Sequence, residues 1–132
     1  MVLAEWCAAH FHTHVPKLNA ALRRKLVALM EALAENFGTT AEFDDPKGGI
    51  FLWVTLPAAV DTQKLAQVAL AQGVAINPGP EWSTDATHGR RRLRLCFAGA
   101  SEPNIRDGVA KLADICATEF GVPTRIANVS KA

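Results

Sequence analysis

Arg94 stands in Arg91-Arg92-Leu93-Arg94-Leu95-Cys96-Phe97-Ala98 as a fixed positive charge inside a run that otherwise reads as a strand. Side chains alternate across a strand, so Leu93, Leu95 and Phe97 share one face while Arg92, Arg94, Cys96 and Ala98 share the other. The second face passes from charge to small apolar groups, which places Arg94 where the sheet runs under another layer. A guanidinium cannot shed its proton, and its planar fork matches a carboxylate or phosphate through two parallel hydrogen bonds. The same side chain can instead close an internal salt bridge or be solvated at a sheet margin, the ordinary fate of charged residues.

Other reactive side chains are weaker candidates. Cys96 lies beside Arg94, and a nearby cation lowers a thiol's pKa; no His is placed as its base, so a packing role is expected. Arg90-Arg91-Arg92 has no interleaved aromatic residues of the kind that nucleic-acid grooves use, and reads as the solvated start of a strand. His10, His12 and His14 alternate, so an extended chain would align three imidazoles. No Cys or carboxylate nearby completes a ligand set, and the segment reads as a connection with partly exposed histidines. Gly48-Gly49 lacks the Lys-Ser/Thr ending of a P-loop and precedes a strand, so it is turn chemistry. No Ser-His-Asp order, carboxylate pair or His-Glu-x-x-His motif is present.

These residues need elements to position them. Leu18, Leu22, Leu26, Leu29 and Leu33 predict a helix over 16–37, opened by Pro16 and stopped by Gly38. A short strand at Ala41 to Phe43, a turn through Asp44-Asp45-Pro46-Lys47-Gly48-Gly49 and a strand at Ile50 to Leu56 follow. That second strand is apolar on both sides and is expected to be covered on both. Asp61 or Thr62 caps a helix to Gln72 with Leu65, Val68 and Ala69 inward, and Val74 to Ile76 reads as a strand. A long loop, Asn77 to Gly89, leads to the Arg94 strand. Ser101 caps a last helix bearing Ile105, Val109, Leu112, Ile115 and Phe120, stopped by Gly121, and Thr124 to Ala132 reads as a loose tail. The expected architecture is α+β: a small, mostly antiparallel sheet packed with helices, in one domain at 16–121 between a connecting segment at 1–15 and a tail at 122–132.

The 132 residues carry 14 basic and 13 acidic side chains, a formal net charge of +1, which argues against nucleic acid or an anionic membrane as a partner. Three widely spaced cysteines without a Cys-x-x-Cys pair suit a reducing compartment, so a cytoplasmic setting is expected. Neither a secretory signal nor a bilayer-spanning run is read in the sequence, and secretion and membrane insertion are not expected.

Taken in order, several segments resemble the carboxy-terminal small domain of a fold-type I pyridoxal-phosphate-dependent aminotransferase, class I/II, similar to the 2-aminoadipate and kynurenine types. They are Pro46-Lys47-Gly48-Gly49-Ile50-Phe51-Leu52-Trp53-Val54, Leu65 to Pro78-Gly79, Leu93-Arg94-Leu95-Cys96-Phe97-Ala98, and the helix opened by Ser101. The resemblance implies that Arg94 holds the α-carboxylate of the amino-acid substrate and that Phe51 lines the substrate side of the pocket, where Phe51 as ordinary core remains the alternative. It implies pyridoxal 5'-phosphate, amino-acid and 2-oxo-acid substrates and a homodimer for a parent enzyme. The family's Tyr-Arg-x-Arg-Arg-Asp pattern is here Leu22-Arg23-Arg24-Lys25-Leu26-Val27. The family's Schiff-base Lys, pyridinium-binding Asp and phosphate cradle belong to a preceding domain, and nothing in these residues replaces them. The chain alone is therefore expected to hold no catalytic, cofactor or metal residue and to be inactive, either as a fragment of a full enzyme or as a free-standing remnant. Two alternatives stay open: an effector-binding domain behind a winged-helix DNA-binding module, and a ferredoxin-like amino-acid-binding module whose final strand would be Thr124 to Val129.

Overall fold

The computed structural model describes residues 2–123. The expected tail, and with it the possible strand at Thr124 to Val129, lies outside the described residues. The first element is α1, Val2–Phe37, much longer than the sequence pattern predicts. Pro16 sits inside it instead of opening it, at a cost of about 3 kcal/mol for the lost hydrogen bond and ring clash. Ala4, Ala8 and Ala9 ahead of it are strong helix formers, so the helix continues on both sides. The two halves behave differently. Leu26, Leu29, Leu33 and Phe37 are buried in the core, whereas Val2, Leu3, Trp6, Phe11 and also Leu18, expected in the buried stripe, are exposed.

The polypeptide then turns through a 3-10 segment, Gly38–Thr40, into β1, Phe51–Thr55. The expected strand at Ala41 to Phe43 is reduced to one bridge, in which the Glu42 and Thr55 amides each donate to the other's carbonyl at 2.9 and 2.8 Å. The Arg23 guanidinium pins the turn before β1, donating to both Asp45 carboxylate oxygens at 2.7 and 3.1 Å, and it holds that carboxyl below its usual range. Helix α2, Thr62–Ala71, starts where Asp61 accepts from the Gln63 and Lys64 amides, and buries Leu65 and Ala69. Truncating this cap, Asp61→Ala, is expected to lower unfolding free energy by about 1 kcal/mol, measured by urea denaturation.

Strand β2 is Asn77–Pro78, displaced from the expected Val74 to Ile76. It lies at the sheet edge, where a proline without an N–H does least harm. The loop beyond it contains a 3-10 turn, Gly79–Glu81, and a single helical turn, α3, Ala86–Gly89, capped by Asp85. Strand β3, Arg92–Cys96, is central in the order β1-β3-β2, and both pairings are antiparallel. Helix α4, Glu102–Phe120, opens at Ser101, which accepts from the Asn104 amide, and closes at Gly121 with φ 65°. Among the described residues no helix is long and apolar enough to cross a membrane.

One core results. Leu52, Val54, Leu93, Leu95 and Phe97 point from the sheet into a layer made by the second half of α1, by α2 and by α4. Burial there pushes the Cys116 thiol up to about 12. The opposite sheet face carries Phe51, Trp53, Thr55, Arg92 and Arg94, all half-buried and covered by no helix layer. The expectation of cover on both sides of β1 thus holds for one side only within the described residues.

Candidate functional site

Alternation along β3 puts Arg94 opposite the buried Leu93, Leu95 and Phe97, as the sequence predicts, but on an open face of the sheet instead of under a further helix layer. Its guanidinium is sandwiched between two aromatic rings. The Cζ atom lies 3.8 Å from the centroid of Phe51 and 3.5 Å from that of Trp82. The register explains the first contact. Arg94 is directly opposite Trp53, so Phe51, two residues along β1, is a diagonal neighbour within reach of a long side chain. Phe51 is therefore more than core packing: its ring supports the cation.

Trp82 is a site residue that the sequence pattern does not single out. It reaches Arg94 because the loop from Gly79 to Gly89 is pressed onto β3. A Cβ added at Gly79 would stand 2.3 Å from the Gly89 carbonyl oxygen and 2.5 Å from that of Arg92, so only glycine permits this approach. The Asp85 cap and the Trp82 amide bond to the Gly79 carbonyl, 3.0 Å, hold the intervening residues.

Stacking on both faces determines what Arg94 can still do. Cation–π contacts contribute from about 0.5–1 kcal/mol when exposed to about 2 kcal/mol when desolvated, and they occupy the two sides of the guanidinium plane. Only the in-plane N–H edge is left for a partner. The Nε of Arg94 is buried and has no acceptor among the described residues, where ion pairs are also confined to other side chains. An internal salt bridge, one of the readings open from the sequence, is therefore not what engages Arg94 within these residues. A buried donor without an acceptor costs about 1–3 kcal/mol, a cost that an in-plane carboxylate relieves.

The other candidates separate. Arg90 is spent on Asp61 at 3.5 Å, and its carbonyl accepts from both the amide and the hydroxyl of Thr62 at 3.0 and 2.8 Å. Arg92 repeats the Arg94 pattern one step along, with Cζ 5.2 Å from the Trp53 centroid and a buried Nε that likewise has no acceptor among the described residues. Cys96, expected to pack, is exposed, because it ends β3 on the open face, opposite the helix layer. The histidines do not form a row. On α1, His10 and His14 both lie against Trp6, with ring centroids 5.3 and 5.1 Å apart from it, and His12 lies against Phe11. Among the described residues no cluster of three metal-ligating side chains occurs.

Comparison with known proteins gives a consistent picture. Residues 2–112 match the family described as aminotransferase class I and II. An aromatic-amino-acid aminotransferase of Thermococcus litoralis is 32% identical over 107 residues, covering 81% of this chain and 25% of the relative. An uncharacterized HTH-type transcriptional regulator of Bacillus subtilis is 30% identical over 112 residues, covering 84% of this chain and 23% of that protein. Among solved structures, an α-aminoadipate aminotransferase from Thermus thermophilus, complexed with N-(5'-phosphopyridoxyl)-L-leucine, superposes with a TM-score of 0.80 at 25% identity, covering 92% of this chain and 31% of that one. The chain thus spans about a quarter of the length of the curated relatives it matches.

Proposed function

Because the chain belongs to the aminotransferase class I and II family, we propose that it is the carboxy-terminal, substrate-carboxylate-binding domain of a pyridoxal-phosphate-dependent amino-acid aminotransferase. The observation that carries this reading is the Arg94 guanidinium, clamped between Phe51 and Trp82 with its edge free and its Nε lacking an acceptor among the described residues. In that role Arg94 binds the α-carboxylate of an amino acid or 2-oxo acid. Phe51 and Trp82 fix the fork's plane and shield it from water, so little side-chain freedom is lost when substrate arrives. A homodimer and a cytoplasmic setting belong to the same proposal; three free cysteines are compatible with the latter.

Pyridoxal 5'-phosphate enters the proposal at the level of the whole protein. On this reading the chain contributes the substrate's carboxylate contact and not the cofactor's seat. The Lys25 amine donates to the Ala98 carbonyl at 2.8 Å, Lys64 pairs with Glu119 at 3.3 Å, and no lysine is among the groups stacked on Arg94 or Arg92. On this reading the chemistry at the cofactor is supplied by another part of the complete protein, and the isolated chain is expected to catalyse no transamination.

The test is amino transfer by the complete protein. With an L-amino acid as donor and a 2-oxo acid as acceptor, a new amino acid should form in equal amount to the donor's oxo acid. A second reading has one specific support, the similarity to an HTH-type regulator over a comparable length. Absence of transfer together with amino-acid-dependent DNA binding by the complete protein would replace the enzyme reading with that one.

A further inference from the structure

We infer that His88 is a positioning residue for Arg94: its neutral ring ties α3 to β3 through Arg92, which keeps Trp82 stacked on the Arg94 guanidinium, and a protonated ring releases that tie. The consequence for substrate rests on the proposed carboxylate role of Arg94.

The Arg92 Nη1 lies 3.3 Å from His88 Nε2. A guanidinium only donates, so this contact is a hydrogen bond when Nε2 is the bare nitrogen of a neutral imidazole that carries its proton on Nδ1. With a proton on both nitrogens, His88 sets a second cation against Arg92 and the bond is lost. Arg92 cannot yield by shedding its own proton, and its side chain is already held by stacking, with Cζ 5.2 Å from the Trp53 centroid. His88 is therefore the partner that moves.

The loop that carries Trp82 moves with it. Helix α3 is a single turn of 4 residues, too short to keep its shape without outside contacts. The bonds made by the Ser83 and Asp85 side chains stay inside the loop, and among the described residues the Arg92–His88 contact is the one side-chain hydrogen bond that crosses from loop to sheet. Trp82 itself is 52% exposed, so its place on Arg94 is kept by the loop and not by a surrounding core.

The elements that meet α3 offer an imidazolium no counter-ion. Arg92 and Arg94 on β3, and Arg90 and Arg91 ahead of it, are cations. The Asp85 carboxylate accepts from the Thr87 and His88 amides, and neither it nor Glu81 of the 3-10 turn pairs with the His88 ring. A proton taken up by His88 thus meets repulsion from Arg92 without a compensating partner.

The experiment incorporates fluorotryptophan into the complete protein and follows the Trp82 fluorine resonance, assigned by its loss in Trp82→Phe, from about pH 8 to about pH 5.5, where imidazole is the side chain that ordinarily changes charge. Observing Trp82 singly keeps out Trp6, which lies against His10 and His14. The resonance should move toward that of a solvent-exposed tryptophan as pH falls. His88→Gln, whose amide oxygen accepts from Arg92 at any pH, should hold the high-pH position throughout, and the charged His88→Lys should hold the low-pH position. Taken relative to His88→Gln at each pH, so that titration of substrate and cofactor cancels, KM for an amino acid should rise about two- to fivefold on the acid side with kcat unchanged, the factor for losing one exposed cation–π contact. A Trp82 resonance that ignores pH, a shift that persists in His88→Gln, or a flat KM ratio would each overturn the inference. A silent resonance with amino-acid use still crippled by Arg94→Gln leaves the carboxylate reading intact. A responding resonance with Arg94→Gln harmless sinks that reading and keeps the tie between His88 and Trp82.

Discussion

If the proposed aminotransferase function holds, Arg94→Gln in the complete protein is expected to lower kcat/KM for every amino-acid substrate by about 10²–10³, with affinity for pyridoxal 5'-phosphate unchanged within about twofold. The magnitude comes from the loss of a shielded, charge-assisted pair, about 2–5 kcal/mol when one partner is removed. The selectivity comes from geometry. The guanidinium has rings on both faces and offers only its edge, so its partner is a planar acceptor and not a group spread over several directions. Arg94→Lys sharpens the test. Lysine keeps the charge but loses both the fork and the flat surface that Phe51 and Trp82 clasp, so it should recover only a minor part of the lost rate. Steady-state kinetics with cofactor titration measure both quantities. Near-normal turnover by Arg94→Gln, or full rescue by lysine, would show that a directed fork is not what the reaction uses.

The core half of this site is legible in the sequence because strand alternation is a local property. Leu93, Leu95 and Phe97 have to share a face, and Arg94 has to take the other, whatever the rest of the chain does. Phe51 is reached by resemblance, and the register gives it a physical task, since a diagonal partner is what places its ring on Arg94. Trp82 leaves no comparable signal. It sits in a loop with no periodicity, and its placement depends on a contact between two glycines ten residues apart in sequence, a relation that pattern reading does not see. Arg92 reads as the solvated end of a basic run because its stacking partner, Trp53, becomes a neighbour only once β1 and β3 pair.

The elements that depart from expectation have equally specific causes. Pro16 suits a helix start because that is where proline fits best, but the alanine-rich segment before it is helical enough to continue through the break. Val74 to Ile76 has the β-branched character of a strand, yet the hydrogen bonds to β3 are made by Asn77–Pro78, where edge position offsets the missing N–H. Cys96 is expected inside because small thiols usually pack; it ends β3 on the open face, opposite the helix layer, and is exposed there.

Gly79→Ala is expected to destabilise the protein by on the order of 3 kcal/mol, lowering Tm by roughly 10 °C, and to detach Trp82 from Arg94. The new methyl would stand 2.3 and 2.5 Å from the carbonyl oxygens of Gly89 and Arg92, both backbone atoms that cannot rotate away. The loop must therefore lift or the start of β3 must shift. A shift of β3 would strain the Leu56 amide bond to the Arg91 carbonyl, 2.9 Å, and the two Thr62 bonds to the Arg90 carbonyl, so lifting of the loop is the cheaper response. It exposes one face of the Arg94 guanidinium to water and restores its freedom to rotate. Substrate affinity should fall in step with the change in tryptophan emission, an effect passed from Gly79 to Arg94 through Trp82. Gly99→Ala is the control, because its added methyl meets nothing within 4 Å and stability should change by no more than about 0.5 kcal/mol. Calorimetry and fluorescence on the two variants decide the point. Equal Tm values and unchanged emission would mean that the Gly79–Gly89 contact does not hold Trp82 in place, and that the aromatic clamp on Arg94 is maintained from β1 alone.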